Sequence, residues 1–260
     1  MKLAEFPLLL DIDDPDLEAR LSLTPLWRAF LWRIKHFRLW VQTMKLAVPD
    51  GEAILVSNPT LQKRYGGTLV PHARADPGFG AEHASSNPRI VFVGTVRHHK
   101  GVDILRAAVE YLSSRGYRLV VTEKQPGDAR PWEEWIGNST LSEGLELVAN
   151  SDIVVLPSRL SKNAIGQLPV KLVDAMLAGR AVVVSNVDPM PWAVGEHGLV
   201  FEPEDTAGLI DILKDLSDPE FRNLCGQRMR QQAIKLFELD AVAKTFAGAC
   251  ENALRSKAGL

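Results

Sequence analysis

The chain of 260 residues has no run of apolar residues long enough to cross a bilayer, a span needing about 20 of them. It has only two cysteines, Cys225 and Cys250, neither in a C-x-x-C pair nor near a histidine cluster. That scarcity excludes a disulfide scaffold and a zinc knuckle and suits idle thiols in a reducing compartment. Charge of one sign is also scarce: the net charge is −2 at pH 7, so no global field draws the chain to nucleic acid or an anionic membrane. Any basic site has to be local, and nucleic acid is not an expected partner. There is no G-x-G-x-x-G and no G-x-x-x-x-G-K-[ST], which disfavours a Rossmann dehydrogenase and a P-loop kinase. The first ten residues carry Lys2 but also Glu5 and lead straight into an acidic cluster, which is not the pattern of a signal peptide. A cytoplasmic protein is expected.

What is present is 46% hydrophobic and 24% charged, ordinary for a globular protein with a real core. The run from Phe6 to Asp14 reads as a short buried strand ending in an acidic turn. Thr24 to Ala47 reads as a helix, with Thr24 as N-cap and Pro25 as first helical residue. Ala53–Ser57 reads as a strand, Leu61–Tyr65 as a brief helix stopped by Gly66 and Gly67, and Thr68–Pro71 as another strand. From His72 to Pro88 the composition shifts to Gly, Pro, Ala and Ser. This places a linker at 76–88, after a first unit of 1–75. Beyond it the pattern becomes regular. Strands at Arg89–Val93, Tyr117–Thr122, Ile153–Pro157 and Ala181–Ser185 alternate with helices at Val102–Ser114, Leu141–Asn150 and Val170–Leu177. Such alternation predicts an α/β fold with a Rossmann-like, doubly wound parallel sheet over 89–235. A C-terminal helix at 236–260 follows a helical tail that Pro219 is expected to break. In such a sheet ligands bind beyond the carboxyl ends of the strands, so the loops after Val93, Leu156 and Val184 matter most.

The loop Gly94–Gly101 contains Arg97 and Lys100 just ahead of a helix N-terminus, whose free N–H groups and dipole favour anions. Two cations there make a clamp for a diphosphate, although a solvated basic turn reads equally well from these residues alone. Gly94 allows close approach of backbone to ligand; His98 and His99 either touch the anion or lie exposed. The loop Pro157–Lys171 is long and polar. Lys171 falls in the first turn of a helix, where a cation is unfavourable unless it meets an anion, and Asp174 shares its face at i+3. These two are a surface pair, or they point toward phosphate and ribose hydroxyls respectively. The acidic turn Asp11, Asp13, Asp14, Asp16 reads as solvated and helix-capping; it lacks EF-hand spacing, and no metal site is expected.

Four segments carry a resemblance. Gln167–Val183 resembles the P-x-K-x-x-E-x-M-x-x-G-x-P-V-V donor-site helix of GT-B glycosyltransferases, in particular family 4 (group 1). Phe92–Asp103 is similar to the G…KG-(V/I)-D loop of that family, Glu196–Asp205 to its G-x-L-V-x-P-x-D segment, and Val56–Tyr65 to the hand-over between its two domains. The resemblance implies a GT-B C-terminal domain preceded by a partial N-terminal α/β stub, the remnant of the acceptor domain. It implies that a sugar passes from a nucleoside-diphosphate sugar to an unidentified acceptor, with retention and without a metal or other cofactor. It further implies that Gly94, Arg97, Lys100 and Lys171, with the backbone around Gly166, Gln167 and Leu168, hold the diphosphate or the sugar. Asp174 stands where the family has a glutamate on the ribose.

Three departures accompany the resemblance. Many relatives have Glu-x7-Glu, but the first of these positions is Gly166 here. Ala181 stands where proline is common. The part before the linker is shorter than a full N-terminal domain, so no catalytic base is assigned, and a non-catalytic nucleotide-binding module and a nucleotide-sugar isomerase stay open. The helix at 24–47 carries Trp27, Trp32 and Trp40 among Arg and Lys side chains. It either lies on a membrane surface, which would bring the protein to the inner face, or packs on its own sheet.

Overall fold

The structure is a computed structural model, and it describes residues 9–15, 53–162 and 164–258. The expected helix at 24–47, with its membrane reading, lies outside the described residues. Two parallel sheets carry the fold. The smaller is three-stranded in the order β1 (Leu9–Ile12), β2 (Ala53–Val56), β3 (Thr68–Leu69), with Leu9 opposite Ala53 and Ile12 opposite Val56. Between β2 and β3 runs α1 (Pro59–Tyr65). Asn58 caps it by accepting the Leu61 N–H, and Pro59 fills the first turn, where a missing N–H is harmless.

The larger sheet has six strands in the order β6-β5-β4-β7-β8-β9: β4 (Arg89–Phe92), β5 (Arg118–Val121), β6 (Glu133–Trp135), β7 (Ile153–Leu156), β8 (Ala181–Ser185) and β9 (Leu199–Phe201). The chain winds outward from β4 to β6, then returns to lay β7 beside β4 and winds the other way. The switch point of this doubly wound sheet is therefore the crevice between β4 and β7. Its inner strands are apolar on both faces, and every residue of β7 and β8 is buried, as a parallel sheet covered by helices requires. Alternate side chains serve opposite layers. Ile153 and Val155 pack with α2 (Val102–Leu112) and α6 (Thr206–Asp215), while Val154 and Leu156 pack with α4 (Val170–Leu177), α5 (Met190–Val194) and α7 (Pro219–Phe237). Between β6 and β7, α3 (Leu141–Ala149) opens on a reciprocal capping box formed by Thr140 and Glu143.

The strand, turn and helix order matches the α/β expectation, and three short elements go beyond it: β6, α5 and β9. β6 reads as a loop in sequence because Glu133 and Glu134 are poor strand formers. Glu133 is held instead by Arg106, which reaches it through Nε at 2.8 Å. The helical tail does break at Pro219: α6 ends at Asp215, and Pro219 sits in the first turn of α7, with Asp218 as cap.

Residues 76–88, expected as a linker, lie pinned along the amino edge of the large sheet. The Gly80 N–H donates to Ala178 O at 2.9 Å and the Ala81 N–H to Ala149 O at 2.8 Å. Asp76 takes a two-pronged bond from Arg230, at 2.6 Å on each oxygen. The last helix, α8 (Leu239–Ala258), returns to the small sheet and packs against β2. Where it starts, the backbones cross: the Arg74 N–H donates to Phe237 O at 2.8 Å and the Leu239 N–H to Arg74 O at 3.1 Å.

Candidate functional site

The crevice between β4 and β7 is rimmed by the two loops the sequence singles out. In the first, the Gly94 N–H donates to Thr122 Oγ1 at 2.8 Å, which fixes where the loop leaves β4. The chain then passes Arg97 and tightens into a 3-10 turn at His98–Lys100. It enters α2 through Gly101, whose φ of 63° is left-handed. A Cβ at Gly101 would lie 2.0 Å from the carbonyl oxygen of Pro157, at the end of β7, so only glycine lets the two loops close on each other. Gly101→Ala is expected to destabilise the fold by at least about 1–2 kcal/mol from the left-handed conformation alone, with the collision adding to it. Thermal denaturation would measure this, and an unchanged midpoint would show that the loops do not need this approach.

Burial, with Arg97 beside it, pulls the Lys100 ammonium below its ordinary value, while the Asp14 carboxylate pushes back. Burial, and then Lys100, Arg97 and His98, likewise lower His99, which stays neutral at pH 7. A half-buried ammonium with a second cation beside it is a setting that an anion would relieve. A brace missed by the sequence reading comes from Arg159, two residues past Pro157. It reaches both oxygens of Asp103 (2.8 and 2.6 Å), the His98 carbonyl (2.8 Å) and Glu204 Oε1 (2.6 Å). The Arg159 N–H adds a bond to His99 O at 2.9 Å. Arg159 is raised, chiefly by the Asp103 hydrogen bond, and Asp103 is lowered by the same bond. The first loop is thus fastened from behind, and Arg97 is left at its exposed front. A lone arginine in a polar loop gives no sequence signal of that role.

Lys171 and Asp174 do share one face of α4, with Nζ 3.3 Å from Oδ2. Lys171 Nζ and Val93 Cγ1 both lie within 4 Å of one point above Gly144, at 3.6 and 3.7 Å, which puts Lys171 beneath the start of the first loop. Asp174 differs from expectation. Its side chain is 3% exposed, and Arg74 Nε closes on Oδ1 at 3.2 Å. A ribose reaches this carboxylate only if Arg74 swings aside. Arg74 lies in an irregular segment, and nothing periodic in the sequence marks it.

The backbone donors expected at 166–168 are also partly committed. The Gly166 N–H donates to Asp188 O (2.9 Å) and the Gln167 N–H to Ala164 O (3.1 Å), while Leu168 is buried in the core. For Gly166 and Gln167 the expectation of amides facing a phosphate is not met, because the turn uses them itself. Gly166 serves instead where the two sheets meet: its carbonyl accepts Asn58 Nδ2 at 2.9 Å. Among the described residues no group of three or more His, Cys, Asp or Glu could hold a metal. Among them, too, no helix is long and apolar enough to cross a membrane.

Two parallel sheets that meet at their carboxyl ends, with a cationic loop at the switch point of the larger, have the fold of GT-B glycosyltransferases. The chain belongs to the family of glycosyl transferases group 1, which it matches over residues 87–218, just over half its length. It is 26% identical over 181 residues to the alpha-D-kanosaminyltransferase of Streptomyces kanamyceticus, which takes in 62% of this chain and 45% of that protein; the chain thus spans less than half of that relative. Among solved structures the sucrose-phosphate synthase of Thermosynechococcus elongatus is similar, with a TM-score of 0.73 at 16% identity over 98% of this chain and 70% of that one. So is Anabaena HepE in complex with UDP and glucose, with a TM-score of 0.71 at 14% identity over 94% and 71% of the two chains.

Proposed function

We propose that the chain binds a nucleoside-diphosphate sugar at the crevice between β4 and β7 and transfers its sugar, with retention, to an acceptor. The observation that carries this reading is the pair Arg97 and Lys100, depressed Lys100 included, ahead of the N-terminus of α2 at the switch point. The chemistry such a site performs is charge stabilisation. As the bond between the anomeric carbon and the diphosphate breaks, negative charge gathers on the departing oxygen. Fixed cations and helix N–H groups that await it there lower the barrier. Lys171 adds a third cation from below. The same three cations would carry the charge a divalent metal carries elsewhere, so we infer a metal-independent reaction. Residues 89–235 act in this reading as the donor unit, and the segment 76–88 leads into it along the amino edge of the large sheet. HepE, of the same fold, was captured with UDP and glucose, which supports a donor of this class.

The test is calorimetric titration of the folded chain with UDP, GDP, ADP and dTDP in EDTA. Saturable binding of one of them is expected. No binding of any would overturn the donor site, and binding that appears only on adding magnesium would overturn metal independence.

A further inference from the structure

The small sheet brings its own carboxylates to the same crevice. β1 ends at Ile12, and the next residues are Asp13, Asp14 and Pro15. They are held in place: Ser57 Oγ donates to the Asp13 carbonyl at 2.7 Å, and Pro15 is buried. Pro15 Cγ lies 3.3 Å from where a Cβ on Gly166 would stand, and Leu61 Cδ2 lies 3.4 Å from it. Gly166 has a φ of 90°, so a longer side chain there would be strained in backbone and pressed on two sides. The loop at 166 therefore presents no side chain to the crevice, and the residue that adjoins that spot from the first sheet is Pro15, with Asp14 the next residue before it.

Half-buried Asp14 is also close enough to Lys100 for its charge to strengthen that ammonium's hold on its proton. A carboxylate beside a diphosphate clamp cannot serve the diphosphate, which it repels. It can serve the neutral, hydroxyl-rich group bonded to that diphosphate, because an ionised carboxylate accepts several hydrogen bonds and donates none.

Resting on the donor reading above, we propose that Asp14 binds hydroxyls of the transferred sugar from the first sheet, supplying across the crevice the carboxylate that Gly166 cannot. The small sheet then helps to select the sugar.

The experiment compares wild type, Asp14→Asn and Asp13→Asn for binding of the accepted nucleoside diphosphate and of its glucose, galactose, mannose and N-acetylglucosamine conjugates. Circular dichroism checks that each variant is folded. Asp14→Asn is expected to weaken the best conjugate at least tenfold while the bare diphosphate changes less than twofold, and Asp13→Asn to change neither. Equal effects on conjugate and diphosphate, or none, would overturn the sugar contact while leaving the donor site standing. So would a wild type that binds the diphosphate but no conjugate. Failure of wild type to bind any nucleotide would sink the donor reading itself, and this inference with it.

Discussion

Replacing Arg97 and Lys100 together by alanine is expected to weaken nucleoside-diphosphate binding by about ten- to a hundredfold while leaving the fold intact. A hydrogen bond to a charged group contributes about 1.5–3 kcal/mol, and about 1.4 kcal/mol is a factor of ten. Arg97 is exposed and Lys100 half-buried, so solvent screening reduces the pair's joint contribution below the sum of two buried bonds. The N–H groups at the start of α2 remain in the variant and keep some affinity.

The pH dependence gives a second readout of the same site. Burial and Arg97 lower the Lys100 ammonium from its ordinary 10.5. On the donor reading the charged form binds the diphosphate, and it is lost as pH rises through that lowered value. Affinity should therefore fall on the alkaline side earlier than for an ordinary lysine. Lys100→Arg, which keeps its charge, should move that fall to higher pH. Calorimetry from pH 7 to 10 on wild type, Lys100→Arg and the double alanine variant measures all three. A wild-type affinity flat across the range, or an alanine variant that binds like wild type, would remove these side chains from the site.

The parts of this site that could be read from the sequence are those set by local chemistry. Gly94, Arg97 and Lys100 lie in a strand-to-helix loop, and Lys171 with Asp174 falls at helical spacing, so their faces follow from periodicity. Val- and Ile-rich runs at 90–93, 153–156 and 181–184 declare doubly covered parallel strands, and the crevice follows from their order. Long-range pairing is what sequence does not show. Arg74 reaches Asp174 across 100 residues, from 74 to 174, and Arg159 ties the first loop to Glu204. Neither has a spacing to betray it. The resemblance implies that amides at Gly166 and Gln167 face a ligand. Whether a turn satisfies its own N–H groups depends on its closed geometry, which composition does not fix. Pro219 marks the break between α6 and α7 as expected, and Asp218 before it, a good N-cap, makes it the start of the second helix. The segment 76–88 looked like a linker by composition, yet its backbone is fastened, because Gly80 can press within contact of Ala149 where a side chain could not.

That fastening leads to the largest effect expected on stability. Asp152 stands at the amino end of β7, opposite the crevice, with its side chain 12% exposed. Oδ2 accepts the Arg89 N–H at 2.8 Å. Oδ1 lies 3.6 Å from His83 Nδ1 and 3.7 Å from Arg222 NH2. Arg222 is fully buried and donates to Leu216 O (2.7 Å), Ser217 O (3.0 Å) and, from the pinned segment, Ser85 O. Burial lowers Arg222 from the usual guanidinium value, and the Asp152 charge is the first to oppose it. Burial would raise Asp152, but His83, the Arg89 N–H and Arg222 together hold it below the ordinary carboxylate value.

Asp152→Ala leaves a buried guanidinium without its leading counter-charge, a change that costs about 3–5 kcal/mol, a large share of the roughly 5–15 kcal/mol that holds a domain together. Replacing both charges, as Asp152→Asn with Arg222→Met, should cost clearly less than Asp152→Ala, because no lone charge remains. The lowered carboxyl sets the acid limb. Its stabilisation is present above the unfolded carboxylate value near about 3.9 and is lost as pH falls through the lower folded value. Asp152→Asn should therefore flatten the loss of stability below pH 4. Urea unfolding at pH 7 and at pH 3 measures both effects. Because Asp152 lies at the far end of the strands from Arg97 and Lys100, the folded fraction of Asp152→Ala should bind the nucleoside diphosphate with wild-type affinity. A loss of binding beyond the unfolded fraction would mean that the pinned segment shapes the crevice as well as the fold.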